Sequence, residues 1–367
     1  MKIECIKEKL ETAVRIADRA TGKNLSLPIL SSILLDSSKN SLFIKSTNLD
    51  LGLEVEIPIK GEFSKPIAVP SSVLWNFLSN LGQERVVNLE VVGDVLEITC
   101  GLARASVKTQ TVDDFPTIPK IADGKNVSVP ANVLVSGFKS VCYSAASNSM
   151  KPELSSVYIH TKDEHLIFAA TDSFRLAEKR IKIKSLKSFP SVMIPAKNAS
   201  EIIKIFEAHN EDVDIWVGKN QISFSCGFIY LVSRVIDGVF PDYEQIIPKD
   251  FSTTAVVIKQ DFAQAMKIIT VFSDAFNQVN LNIIPNKKIF EIKAKNSTLG
   301  DASSKISATA KGESIDIGFN HRYLADCLQP ADSDSLVFGF SGQHKPLVIR
   351  TVGGDQGFTY LVMPLNK

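Results

Sequence analysis

No feature restricts this 367-residue chain more than its threefold internal repetition. Val69-Pro70 opens an apolar run that ends at Asp114-Phe115-Pro116, and Ile194-Pro195 opens another that ends at Val239-Phe240-Pro241. The spacing from Pro70 to Phe115 and from Pro195 to Phe240 is 45 residues in both cases. A third run starts at Gly318-Phe319-Asn320, 125 residues after Pro195, and ends at Val362-Met363-Pro364. The earlier halves repeat as well: Leu27-Pro28-Ile29-Leu30-Ser31-Ser32-Ile33 lies 124 residues before Lys151-Pro152-Glu153-Leu154-Ser155-Ser156-Val157. A fixed long period means equivalent domains in a row rather than one large enzyme fold. The stretch 116–125 and Pro248-Lys249-Asp250-Phe251-Ser252 separate them, which gives domains 1–121, 122–249 and 250–367.

Each repeat divides into two similar halves. Lys2 to Cys5 reads as a strand, and Lys7 to Ala20 as a helix whose Leu10, Ala13, Val14 and Ala17 share one face. Strands follow at 33–35, 42–46 and 51–57. The second half opens with a strand at 67–69 and a helix at Pro70-Ser71-Ser72, with Ser as its cap. Strands at 87–92, 95–99 and 103–109 complete it, with Gly93-Asp94 as a hairpin turn. Hairpin turns recur in register: Ser37-Ser38-Lys39-Asn40, then Lys162-Asp163-Glu164-His165, then Pro285-Asn286-Lys287-Lys288. The expected class is α+β, with a strand, a helix and three strands as a unit that occurs six times. One-sided helices cover one face of the sheets, and repetition by rotation gives a curved array with helices inside and strands outside.

The 41 Lys and Arg balance 40 Asp and Glu, so a net charge of +1 argues against a bulk polycation but leaves room for a local basic face. Cys5, Cys100, Cys142, Cys226 and Cys327 lie far apart, which fits reduced thiols in the cytoplasm. The charged start MKIECIKEKLETAV does not read as a signal peptide, and no run has the length of a membrane span. No glycine-rich phosphate cradle, no Gly-x-Ser-x-Gly elbow and no His-Glu-x-x-His pattern occurs, so no cofactor, metal or catalytic residue is expected. One polar cluster, Ala170-Thr171-Asp172-Ser173-Phe174-Arg175-Leu176-Ala177, follows an apolar strand, and Thr47-Asn48-Leu49-Asp50-Leu51 is its equivalent in the first repeat. It reads either as a structural turn held by Thr171 and Asp172 or as a loop presenting Arg175 and Leu176 at a surface pocket.

These residues together resemble the bacterial sliding clamps, the beta subunits of DNA polymerase III. The resemblance spans the whole chain. It rests on Leu27-Pro28-Ile29-Leu30, the Ala170 to Ala177 cluster, Asp237-Gly238-Val239-Phe240-Pro241-Asp242-Tyr243 and Tyr360-Leu361-Val362-Met363-Pro364-Leu365, in that order on the repeat. It implies a DNA clamp fold and a non-catalytic processivity factor. It further implies a head-to-tail homodimeric ring around duplex DNA, with the helices lining the hole. The implied partners are the polymerase III alpha subunit, the clamp loader, and other polymerases and repair proteins that dock through short linear motifs.

Three groups of residues follow from the resemblance. Inner-face DNA contacts match Arg15, Arg19, Lys139, Lys197, Lys204, Lys267 and Arg322 on helices, and Lys23, Asn24, Asn148 and Lys151 on loops. A sliding ring touches phosphates rather than bases. The peptide pocket matches Leu154, Thr171, Ser173, Phe174, Arg175 and Leu176, then Pro241, Ile246, Pro346, Leu361, Met363, Pro364 and Leu365. Apolar groups around one arginine suit an adaptable peptide site. Phe174 stands where family members more often have His, and Gln245 where they more often have Arg. The dimer seam matches Ala103, Ala105 and Val107 at one end, meeting a helix over 262–276 that bears Val271 and Phe272.

Overall fold

The computed structural model describes residues 2–23, 26–121, 124–148, 150–183, 189–353 and 357–365. Among them the unit of strand, helix and three strands occurs six times. The first runs β1 (Lys2–Ile6), α1 (Lys7–Asp18), β2 (Ser32–Ser38), β3 (Ser41–Thr47), β4 (Leu51–Lys60), and the second β5 (Ile67–Pro70), α2 (Ser71–Ser79), β6 (Val86–Val92), β7 (Val95–Cys100), β8 (Ala103–Lys108). The third is β9 (Lys125–Pro130), α3 (Ala131–Val141), β10 (Ser156–Lys162), β11 (His165–Thr171), β12 (Arg175–Lys182), and the fourth β13 (Val192–Pro195), α4 (Ala196–Phe206), β14 (Asp212–Val217), β15 (Gln221–Cys226), β16 (Ile229–Arg234). The fifth is β17 (Thr253–Ile258), α5 (Lys259–Ile269), β18 (Gln278–Ile284), β19 (Ile289–Asn296), with its last strand broken into β20 (Gly300–Ile306) and β21 (Ala308–Gly312). The sixth is β22 (Ile315–Asn320), α6 (His321–Asp326), β23 (Ser335–Phe340), β24 (Leu347–Thr351), β25 (Phe358–Val362).

Local chemistry explains the agreement with the sequence and its exceptions. In α1 the residues Leu10, Ala13, Val14 and Ala17 are buried, as 3.6-residue periodicity requires. Leu27 to Ile33 and its counterpart at 151–157 both form a short 3₁₀ turn, Pro28–Ser31 and Pro152–Ser155, leading into a strand. The first two hairpins turn through left-handed pairs, Lys39-Asn40 (φ 49° and 67°) and Asp163-Glu164 (φ 48° and 61°). That geometry matches the twist of the strands it joins. Pro285 cannot take positive φ, so the third hairpin instead uses a 3₁₀ turn closed by Lys288 at φ 53°.

Two expectations need correction. Ser71 does not cap α2: Pro70 is the cap, and the buried Ser71 hydroxyl donates to Asp18 Oδ1 at 2.7 Å, tying α2 to the end of α1. The helix expected over 262–276 ends at Ile269, with one 3₁₀ turn at Thr270–Phe272. Ser273 is extended, and beyond it Asp274 Oδ1 accepts from the Phe276 and Gln278 N–H groups at 3.0 Å each, so the helix does not resume. A short carboxylate that satisfies nearby donors competes with the helix for them.

The chain divides into two compact units, Met1–Leu134 with Glu201–Val235 and Val135–Ser200 with Ile236–Lys367. In the first unit a 12-stranded sheet runs β8-β7-β6-β1-β4-β16-β15-β14-β9, with β2, β3 and β5 alongside. Here β4 of the first repeat pairs with β16 of the second, Leu53 facing Leu231 in register. In the second unit a nine-stranded sheet runs β13-β10-β11-β12-β25-β24-β23-β17-β21, and β12 of the second repeat pairs with β25 of the third. A four-stranded sheet, β20-β19-β18-β22, completes that unit. Phe262, Phe290 and Phe338 pack there with ring centroids 4.9 to 6.2 Å apart.

Leu53 and Leu231 are both fully buried at the strand pair that welds two repeats. Leu53→Ala is expected to destabilise the chain by about 2–5 kcal/mol. The urea midpoint should fall at unchanged slope.

Candidate functional site

The polar cluster is a built turn. Thr171 Oγ1 donates to the Arg175 carbonyl at 2.6 Å and accepts from Ser173 N–H at 3.1 Å. Asp172 Oδ1 accepts from the N–H groups of Phe174 and Arg175 at 2.9 and 3.0 Å. Ser173 sits at φ 77°. The first repeat builds the same turn: Thr47 Oγ1 bonds Leu51 O and Leu49 N–H, Asn48 Oδ1 accepts from Asp50 and Leu51, and Leu49 has φ 77°. The structural reading of this cluster therefore holds, and in the second repeat the same turn also lines a surface cavity. It holds Phe174 out, 61% exposed, and turns Arg175 inward.

Arg175 is spent on internal partners. Its Nε donates to Asp172 Oδ2 at 2.9 Å and its Nη1 to Asp326. Its guanidinium lies 4.7 Å from the Tyr323 ring and 5.8 Å from that of Tyr143. Burial would pull its pKa down, but Tyr360, Asp172 and Asp326 outweigh that and hold it above the ordinary arginine value.

A cavity of ≈ 210 Å³ opens beside this turn. Leu154, Thr171, Ser173, Phe174, Arg175 and Leu176 line it from one side, and Pro241, Ile246, Leu361 and Met363 from the other. Strand alternation sends Tyr360 and Val362 into the core, while Met363, just past β25, donates its N–H to Phe174 O at 2.8 Å. Of the expected lining, Pro346, Pro364 and Leu365 are half-buried and are not among the residues that line this cavity, and Leu365 N–H donates to Gly318 O at 2.9 Å. Asp242 and Tyr243 also line the cavity and were not expected. The signal was available in Asp237 to Tyr243, which places both beside Pro241.

Tyr243 forms the base of the site. It packs with Leu176, Met193, Phe240, Val348 and Leu361 in one buried cluster. Its hydroxyl donates to Glu178 Oε2 at 2.8 Å and lies 3.1 Å from His160 Nε2. Arg180 grips the same carboxylate through Nε and Nη2 at 2.8 and 3.1 Å. Burial, then Glu178, pushes the Tyr243 hydroxyl well above its ordinary value, and burial holds His160 below its own. Both stay neutral near pH 7.

The basic candidates lie on helix faces or loops. Arg15, Lys23, Lys139, Asn148, Lys151, Lys197, Lys204, Lys267 and Arg322 are exposed. Arg19 is half-buried and pairs with Glu201 at 3.5 Å, and Lys204 pairs with the same glutamate at 2.7 Å. Asn24 lies outside the described residues. At the seam candidates, Ala103 and Ala105 are half-buried and Val107 faces its own repeat's core at 6% exposure. Val271 is 65% exposed and Phe272 half-buried, with Phe276 beside them at 76%. No group of three His, Cys, Asp or Glu among the described residues could hold a metal, and no helix among them is long and apolar enough to cross a membrane.

Comparison with known proteins gives one family throughout. The models for the N-terminal, central and C-terminal domains of the DNA polymerase III beta subunit match residues 1–119, 128–242 and 244–366. The chain is similar to the beta sliding clamp of Caulobacter vibrioides, 28% identical over 100% of both chains. It is 25% identical to that of Synechococcus elongatus, over 100% of this chain and 99% of the other. The sliding clamp from Bacillus subtilis, a solved structure, is 25% identical and covers 100% of this chain and 99% of its own, with a TM-score of 0.91.

Tyr243→Phe keeps the ring but removes one donor from the buried Glu178 carboxylate. The expected cost is about 1–3 kcal/mol in urea unfolding. Unchanged stability would mean that Arg180 alone satisfies Glu178.

Proposed function

Since the chain belongs to the DNA polymerase III beta subunit family, whose members are non-catalytic sliding clamps, we infer that it encircles duplex DNA in the bacterial cytoplasm and tethers the replicative polymerase. The observation that carries this is the sixfold unit matched end to end by the family's three domains. We read the three domains as 1–121, 122–249 and 250–367.

Ring closure follows from the pairing of last strands. The last strand of the first unit, β4, pairs with that of the fourth, β16. The last strand of the third, β12, pairs with that of the sixth, β25. Each of these odd-numbered units thus pairs with the one three places on. Continuing the rule, the fifth unit pairs with the second unit of another copy. The strands concerned are left as edges: β8 pairs only with β7 and β20 only with β19 among the described residues. Exposed edges invite uncontrolled association unless something covers them, and this head-to-tail contact closes after two copies. Val271, Phe272 and Phe276 supply apolar surface near the β20 end, and Ala103 and Ala105 lie on β8.

Five helices carry Lys or Arg on a solvent face: Arg15, Lys139, Lys197, Lys204, Lys267 and Arg322 project from α1, α3, α4, α5 and α6. With Arg19, Lys23, Asn24, Asn148 and Lys151, they give a loose, sequence-independent hold on phosphates, moderated by acids such as Glu201. The apolar cavity at Phe174 and Met363 takes short hydrophobic segments of the polymerase alpha subunit, the clamp loader and repair proteins.

Retention on DNA tests the reading. The protein, loaded on circular duplex, should stay bound and be lost when the circle is cut. Reversing Arg15, Arg19 and Lys23 should weaken open-ring binding and flatten its salt slope by about one power of salt per lost contact, with little change in retention of closed rings. Equal loss from circular and linear DNA would refute encirclement.

The seam has its own test. Val271→Ala with Phe272→Ala should convert the dimer to a folded monomer, at a cost on the order of 2–4 kcal/mol for each well-buried contact. Sedimentation of the double variant as a dimer at nanomolar concentration would place the seam elsewhere.

A further inference from the structure

The cavity beside Phe174 has an unequal charge balance that bears on what it admits. Among its lining residues Arg175 is the one cation and Asp242 the one carboxylate. Arg175 shares its single charge between Asp172 and Asp326, and its side chain is 12% exposed. A ligand carboxylate that sought Arg175 would strand Asp172, itself 13% exposed, without its partner. Stranding a buried charge costs more than a partly exposed new pair returns.

Negative charge at the mouth is less well matched. Asp326, which does not line the cavity, is 43% exposed and shares Arg175 with a second carboxylate, so Arg175 offers no free charge to balance the one carboxylate of the lining. Asp242 is exposed, and its Oδ2 accepts from the Gln245 amide at 2.6 Å. That amide satisfies a lone pair without cancelling the charge. Glu244 is matched by Lys162 at 2.6 Å, and Glu178 by Arg180. Beside Leu154, Lys151 and Glu153 add one charge of each sign. Around this acidic surplus the apolar surface is bare: Phe174 is 61%, Ile246 54% and Met363 40% exposed. An apolar floor with an acidic mouth fits a segment whose hydrophobic side chains are flanked by neutral or basic residues.

We propose that this cavity selects linear peptides with neutral or basic flanks and discriminates against acidic ones. This rests on the reading of the cavity as the partner-docking site. Three blocked, dye-labelled peptides sharing a Leu-Ser-Leu-Phe run, flanked by two Ser, two Lys or two Glu, would be titrated against the full chain by fluorescence anisotropy. The Lys-flanked peptide should bind about three- to tenfold more tightly than the Glu-flanked one at about 0.05 M salt, with the gap closing near about 0.5 M. Asp242→Asn should narrow the gap at low salt. Equal affinities, or tighter binding of the Glu-flanked peptide, would overturn the charge preference. The docking reading would survive that result if Ile246→Asp, at an exposed position that should not disturb folding, abolished binding of all three. If no peptide bound, or if Ile246→Asp changed nothing, the docking reading would fail and this proposal with it.

Discussion

Backbone hydrogen bonds between the last strands of different half-repeats hold the molecule together. β4 joins β16 over five register pairs from Ile229↔Val55 to Ser233↔Leu51, and β12 joins β25 from Arg175↔Val362 to Lys179↔Phe358. A strand edge is a row of unsatisfied donors and acceptors, and these pairings cover four such edges at once. They also make sheets continuous across repeats, so the repeats cannot be read as beads on a string. The same accounting leaves β8 and β20 as edges, which is why a second copy of the chain enters the functional reading.

The two junctions are built alike but finished differently. In each, an Asx-type turn precedes the pairing strand, with Leu49 or Ser173 at φ 77°. The register then sets Asp50 opposite Arg234 at the first junction and Phe174 opposite Met363 at the second. At the first, the pair is an ion pair at 3.8 Å, both side chains about two-thirds exposed. At the second, the pair is apolar and lines the cavity. One scaffold therefore carries a solvated ion pair at the first junction and an apolar pair beside a cavity at the second, with different side chains at the matching positions.

Beneath the cavity lies a polar network of Tyr243, Glu178, Arg180 and His160. A carboxylate at 2% exposure needs its donors, and Tyr243 supplies one while presenting its ring to the cavity. The floor of an adaptable hydrophobic site is thus fixed by hydrogen bonds, while Phe174, Ile246 and Met363 at its mouth stay solvent-exposed.

The sequence by itself determined the sixfold unit, most strand and helix positions of the first repeat to within about three residues, and the turn at Thr171 to Arg175. Each of these rests on local chemistry: periodicity, proline, glycine and short polar side chains act over a few residues. The helix expected to continue to Phe276 shows the limit, since the chain leaves it at Ile269 and the Phe276 N–H bonds the Asp274 carboxylate instead of a helical carbonyl. Only the tertiary structure decided that Arg175 is bound to Asp326, 151 residues away, that Tyr243 and Asp242 belong to the cavity, and that Pro346, Pro364 and Leu365 do not. Those outcomes depend on which strand edges meet and in what register. Which strand β25 pairs with, and that Arg175 meets Val362 in the pairing, is decided between segments about 190 residues apart.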